Sequence, residues 1–255
     1  MKTIIKYVLL DLFRNKIILI YTLILAVLSV SVLNLDSNPS KGLLSLLNIT
    51  LLFVPLISIL FATIYFFNSI EFTELLLSQP IKRKKVISAQ YLGVAISLSA
   101  AYALGVGVPL FFLVSGIASL VLVVSGVLLT LIFCSLALLI FVKSKDKTKG
   151  IGVAIVVALF FTLLFDGLLL AFIYSFSEYP IDEAVIAIIA FNPIDLARVL
   201  MLLQLDTSAL MGYSGALFKK FLGSATGSIF STVCMMLWVV LPLVFSLRIF
   251  RKKDL

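Results

Sequence analysis

Chemistry has few places to reside in a chain this apolar. The first is Asp166, the only carboxylate well inside a long apolar run. An acid in hydrocarbon is costly, which makes it a candidate for a transport pathway or ion coupling. Gly167 follows it and the run ends near Phe172, so a second reading stands beside the first, in which Asp166 marks where the segment meets the interface. Cys234, Met235 and Met236 are adjacent soft donors of the kind that suits Cu(I). Consecutive helical residues point in different directions and methionine is a common core filler, so no metal site is assigned. Cys134 is equally isolated, and without a CxxC spacing neither cysteine reports on redox compartment.

What is missing narrows the chemistry further. The chain contains no histidine, which removes serine–histidine hydrolysis, HExxH metallopeptidase chemistry and imidazole ligation. It carries no GxxxxGK[ST] phosphate loop, so any use of ATP through that machinery belongs to another subunit. No catalytic residue and no cofactor of its own are assigned, and the reading is of a non-enzyme.

The remaining polar groups cluster in two stretches between apolar runs. One is NSIEFTELLLSQPIKRKKVISAQ, residues 68–90, and the other runs from about Ile173 to Ser228 with Glu178, Asp182, Glu183, Asp195 and Asp206. In the first, Asn68 or Ser69 can cap a short helix, Glu71 and Glu74 suit its positive end, and Pro80 stops it before Lys82, Arg83, Lys84 and Lys85. In the second, Asn192-Pro193 reads as an N-cap and first helical residue. The run that follows to Leu205 is too short to span and has a polar stripe of Asp195 and Arg198, as expected of a helix flat on the outer leaflet or under a partner. A weaker helix is expected over Ser208–Leu222, which contains Gly212 and Gly215.

The elements that must position these residues follow from composition. Of 255 residues, 62% are hydrophobic and 13% charged, more apolar surface than one soluble core of this size can hide. Blocks of about 20 residues cross about 30 Å of hydrocarbon. Six are read: Ile17–Leu33, Leu43–Phe67, Tyr91–Val114, Ile117–Val142, Ile151–Phe172 and Ile229–Leu247. Helices satisfy their own backbone in lipid, and the alternation of a membrane barrel is absent. The fold class is therefore an all-α membrane protein in one domain, residues 1–255, with segments 1–16, 68–90 and 173–228 outside the spans.

Before the first span, Ile4, Ile5, Val8, Leu9 and Leu12 share one helical arc opposite Lys6, Asp11 and Arg14. This is the pattern of an amphipathic surface helix, with a bend near Asn15, rather than of a plain extension of the span or a removed signal peptide.

Lys and Arg set the orientation. Four clusters of four, around residues 2–16, 82–85, 143–149 and 248–253, fall on one side, leaving Lys41, Arg198, Lys219 and Lys220 of the 20 basic residues on the other. Both termini are then cytoplasmic in a multi-pass bacterial inner-membrane protein. The net charge of +8 serves topology and anionic lipid rather than nucleic acid.

The order of surface helix, two spans and a capped acidic helix ending in proline and basic residues resembles the permease subunits of ABC-2 type transporters. The likeness rests on Glu71-Phe72-Thr73-Glu74-Leu75-Leu76-Leu77-Ser78-Gln79-Pro80-Ile81-Lys82-Arg83, and departs from the family pattern where Phe72-Thr73 replaces a more usual Gly-Thr. The resemblance implies that this segment is a coupling helix docked on an ABC ATPase, with Glu71, Phe72, Glu74, Leu75, Gln79, Pro80, Lys82 and Arg83 as contact residues. It also implies a homodimer on two ATPase subunits, which hold the ATP and Mg.

Within the family, the stretch from Phe191 to Phe218 is similar to that of the permeases of nitrous oxide reductase maturation transporters. That likeness implies delivery of copper or a sulfur species through a periplasmic β-helical accessory protein, contacted by Asn192, Pro193, Asp195, Arg198 and Asp206. Three other readings stay open: an ABC-2 exporter of a peptide, antibiotic or lipid-like molecule, a non-transporting anchor or sensor, and an ion-coupled carrier resting on Asp166.

Overall fold

In a computed structural model of the chain, residues 2–35, 38–114, 116–176, 178–179, 181–204 and 212–251 are described, with the backbone alone over 212–224. Among the described residues there are twelve α-helices and no strand. Six helical segments are long and apolar enough to cross a membrane: Lys16–Leu35, Pro39–Asn68, Arg83–Leu113, Ile117–Lys143, Lys147–Ser175 and Ala225–Phe250. Each contains most or all of one block expected from hydropathy.

Helix α1 (Lys2–Phe13) precedes span one, α2 (Lys16–Leu35). The bend falls at Asn15, whose side-chain oxygen accepts from the Ile17 amide at 2.9 Å and so starts the next helix. The apolar arc of α1 is turned onto the bundle, with Ile4, Val8 and Leu12 buried and α1 packed against α5 (Arg83–Tyr102). The approach is close enough that a Cβ on Gly93 would meet the Val8 side chain at 2.3 Å. Tyr7, Leu10 and Phe13 remain exposed.

Span two is α3 (Pro39–Asn68), capped by Asn38, and α4 (Ile70–Leu77) follows it after the single residue Ser69. Span three is α5 continued through a π-helical segment, Ala103–Gly107, into α6 (Val108–Leu113). The helix begins at Arg83, so the cationic run is itself its first turn rather than a loop leading to it.

Span four, α7 (Ile117–Lys143), is the centre of the bundle and touches α3, α5, α8, α11 and α12. Buried positions make up 56% of its apolar window against 22% in spans five and six, so those two carry the broadest outward faces. Its small residues admit its neighbours: a Cβ on Gly126 would come 2.1 Å from the ring of Tyr102. The buried Tyr102 hydroxyl donates to the Leu122 carbonyl at 3.2 Å.

Span five is α8 (Lys147–Leu159), a second π segment at Phe160–Leu164, and α9 (Phe165–Ser175). Two short helices follow, α10 (Asp182–Ala190) and α11 (Pro193–Leu202), bent through 116° at the break. Each is about 15 Å long, half of what crossing requires.

The expectation of a helix lying flat on the outer surface is corrected here. Nine of the ten α11 residues are buried, because α11 runs into the bundle against α12, α7 and α3. Of the expected helix over Ser208–Leu222, 208–211 lie outside the described residues and the rest is helical as expected; it continues without a break into span six as α12 (Gly212–Phe250), one helix of 39 residues.

The Gly126–Tyr102 contact leaves no room for a methyl group, whereas a Cβ on Gly152 would have nothing within 4 Å. Gly126→Ala is expected to destabilise by about 1–3 kcal/mol through overpacking. Gly152→Ala should be neutral or stabilise by up to about 1 kcal/mol through helix propensity. Thermal unfolding of the purified chain in detergent compares the two directly.

Candidate functional sites

Two polar constellations stand out at separate places in the fold. The first is α4. Its N-cap residue Ser69 makes no side-chain cap bond, and its hydroxyl instead donates to Phe66 O at 3.1 Å. Asn68 does not cap either, because its side-chain oxygen accepts from Lys147 Nζ at 2.7 Å across the junction with span five.

What fastens α4 is Thr73. Its Oγ1 donates to Ser69 O at 2.7 Å and accepts from Gln90 Nε2 of α5 at 2.8 Å, with both side chains buried. Neither Thr73 nor Gln90 was expected as a site residue. Thr73 was legible in the quoted family stretch but without a role of its own, and Gln90 only as a lone amide entering a span.

The expected contact residues fall on the other side of this fastening. Glu71, Phe72, Glu74, Leu75, Gln79, Pro80, Lys82 and Arg83 are all exposed. Phe72 is 40% and Leu75 68% accessible, so two large apolar side chains flanked by carboxylates point away from the chain's own core.

The second constellation joins α11 to span five. Asn192 caps α11 by accepting from the Ile194 amide at 3.0 Å, and its Nδ2 donates both to Phe161 O at 3.2 Å and to Asp195 Oδ2 at 2.9 Å. Phe161 lies in the π segment, where the shifted i→i+5 pattern leaves a carbonyl short of its usual partner.

Arg198 then donates to Asp195 Oδ1 at 2.9 Å and to Asp166 Oδ2 at 3.0 Å. The chain of contacts thus leaves span five at Phe161 and returns to it at Asp166. Asp166, read as a lone pathway acid or an interface marker, is an ion-pair partner of Arg198.

Asn192, Pro193 and Asp195 are buried against the chain's own helices, and Arg198 is partly buried. The expected outward face for a partner is therefore turned inward at these positions. Asp206 lies outside the described residues.

Cys234 lines an apolar cleft of about 500 Å³ with Leu136, Trp238, Leu241 and Phe245. Met235 is buried while Met236 is largely exposed, so the three soft donors diverge as consecutive helical residues must.

Comparison with known proteins places these features. The family described as ABC-2 family transporter protein matches residues 23–255. A curated relative, the probable ABC transporter permease protein NosY of Stutzerimonas stutzeri, is 26% identical over 263 aligned residues covering 94% of each chain. Its counterpart of the same name in Pseudomonas aeruginosa is 27% identical over 225 residues, covering 78% of this chain and 80% of the relative.

The ion pairs rank the expected effects of substitution. Arg198→Ala leaves Asp195 buried beside no cation and is expected to destabilise by up to about 3 kcal/mol, discounted because Arg198 is itself 31% exposed. Asp166→Asn keeps the Asp195–Arg198 pair and should cost about 1 kcal/mol or less. Thermal unfolding in detergent checks the order, and equal losses would show that Asp195 does not depend on Arg198.

Proposed function

The chain belongs to the ABC-2 transporter family, and from that premise we propose that it couples ATP hydrolysis on a partner ATPase to movement of its own spans through α4. As a permease subunit of an ABC transporter it works in a membrane beside an ATPase. The reading adds where they meet: the surface of Glu71, Phe72, Glu74 and Leu75, continued by Gln79, Pro80, Lys82 and Arg83.

The observation that carries it is the two-sidedness of α4. Its inner side is locked to span three by Thr73 and Gln90, while its outer side offers apolar anchors ringed by charge. A ligand moves a conformational equilibrium only through differential affinity. A helix fixed on one side and docked on the other carries the difference between ATP-bound and free ATPase into spans two and three.

Two copies of the chain on two ATPases, with both termini cytoplasmic, complete the proposed assembly. The likeness to NosY-type permeases extends the proposal to delivery of copper or a sulfur species for nitrous oxide reductase maturation, with a periplasmic β-helical accessory protein. In that assembly the Asn192–Asp195–Arg198–Asp166 network sets the position of α11 beneath the partner. The apolar cleft beside Trp238 favours a second reading, export of a lipid-like or peptide cargo. Loss of a loaded reductase on deletion of this chain supports maturation, and an intact reductase supports export.

Glu74→Arg is expected to leave insertion and expression unchanged while hydrolysis by the co-purified ATPase no longer drives transport. Phe72→Asp with Leu75→Asp should weaken ATPase co-purification by about ten-fold or more, as loss of two interface anchors would. Full transport in the first variant and full retention of the ATPase in the second would remove α4 from the docking surface.

A further inference from the structure

A cavity of about 440 Å³ lies where the first two spans end beside α4. Tyr7 and Asp11 of α1, Asn15 at the bend, Tyr65 and Asn68 of α3, and Phe72 of α4 line it. A second cavity of about 250 Å³ shares Asn15, Tyr65 and Asn68 with the first and continues along Ile57, Leu60 and Ile64. The two adjoin, and beyond the shared residues the second is lined by aliphatic and phenyl side chains.

Their order along α3 gives them depth. Ile57 lies about 16 Å along the helix axis from Asn68, at 1.5 Å per residue, so the apolar cavity runs into the hydrocarbon while the polar one stays at the span ends.

Asp11 lines the polar cavity, is exposed, and has no ion-pair partner among the described residues. Tyr7, Tyr65 and Phe72 line it too, and aromatic rings attract a cation. Asn68 lines both cavities; its Oδ1 accepts from Lys147 Nζ at 2.7 Å, so its amide nitrogen is the donor it offers to an anion. A carboxylate with aromatic rings beside an amide donor suits a zwitterion whose amine and phosphate lie a few ångströms apart.

We propose that the two cavities together hold one phospholipid with a primary ammonium head group, of the phosphatidylethanolamine class. The ammonium sits between Asp11 and the rings, the phosphate meets the Asn68 amide, and an acyl chain lies along Ile57, Leu60 and Ile64. A lysine or arginine from a soluble partner would fill the polar cavity alone and leave the apolar one unused, which is why the lipid is the better fit. The head group touches α1, the Asn15 bend and the first turn of α4, so the setting of α4 depends on this lipid.

The test uses the full chain purified in detergent, titrated with phosphatidylethanolamine and phosphatidylglycerol of matched acyl chains and read by native mass spectrometry. Phosphatidylethanolamine is expected to be retained about ten-fold more tightly, the scale of a partly desolvated ammonium held by a carboxylate and aromatic rings. Asp11→Asn, an exposed change that spares packing, should bring it to the level of phosphatidylglycerol, while Lys16→Gln outside the cavity leaves the preference intact. Glycerophosphoethanolamine, which has the head and no acyl chain, should bind at least about ten-fold more weakly for want of apolar burial. Equal retention of the two lipids, an unchanged preference in Asp11→Asn, or tight binding of the chainless head would overturn the proposal. So would an Asp11→Asn variant that keeps the lipid preference but loses the ATPase subunit, which would assign the cavity to the protein partner.

Discussion

Within hydrocarbon, a backbone group that loses its partner cannot find another in water, and the cost is several kcal/mol per group. Two departures from regular helix among the described residues meet that constraint through a single side chain. The π segment of span five offers the carbonyl of Phe161 to the side chain of Asn192. The same asparagine caps α11, whose next residue, Pro193, has no amide to satisfy. One side chain therefore serves two irregularities on two different elements. In span three the π segment lies where Gly105 brings the chain against α2, so close that a Cβ there would sit 2.8 Å from Leu25 Cβ and 2.9 Å from the Thr22 carbonyl oxygen.

The two polar constellations share an element. Lys147, at the start of span five, holds the Asn68 side chain beside α4, and Asp166, further along the same span, holds Arg198 of α11. Span five is also among the least covered spans, with 22% of its window buried. One helix, sparsely buried, is thus tied at one end to the α4 junction and nearer the other to α11. The irregular stretch at Phe160–Leu164 sits between those two ties.

The spans were legible in the sequence because hydrophobic length is a local property, and so was the short helix before Pro80. The partners of isolated polar residues were not legible. Asp166 stands 32 positions from Arg198 and Gln90 stands 17 from Thr73, and no periodicity links residues on different helices. The stripe of Asp195 and Arg198 read as an outward face because two charges on a short apolar helix normally seek water. Here they face inward because Asp166 and Asn192 complete their hydrogen bonds, and only the folded arrangement supplies that pairing. The arc on α1 was correctly sorted by side, but its apolar residues pack on protein as well as facing outward, which amphipathicity alone does not separate.

The length of α12 carries a consequence of its own. The helix starts at Gly212, ahead of Lys219 and Lys220 and of the expected span Ile229–Leu247, so about 25 Å of continuous helix precedes Ile229, at 1.5 Å per residue. The stretch from Gly212 to Leu241 contains no proline, but it holds the pairs Gly223-Ser224 and Gly227-Ser228, where a helix bends most readily. A tilt of span six is therefore passed toward Gly212 only as far as those pairs stay straight, and their glycines set how much of it arrives.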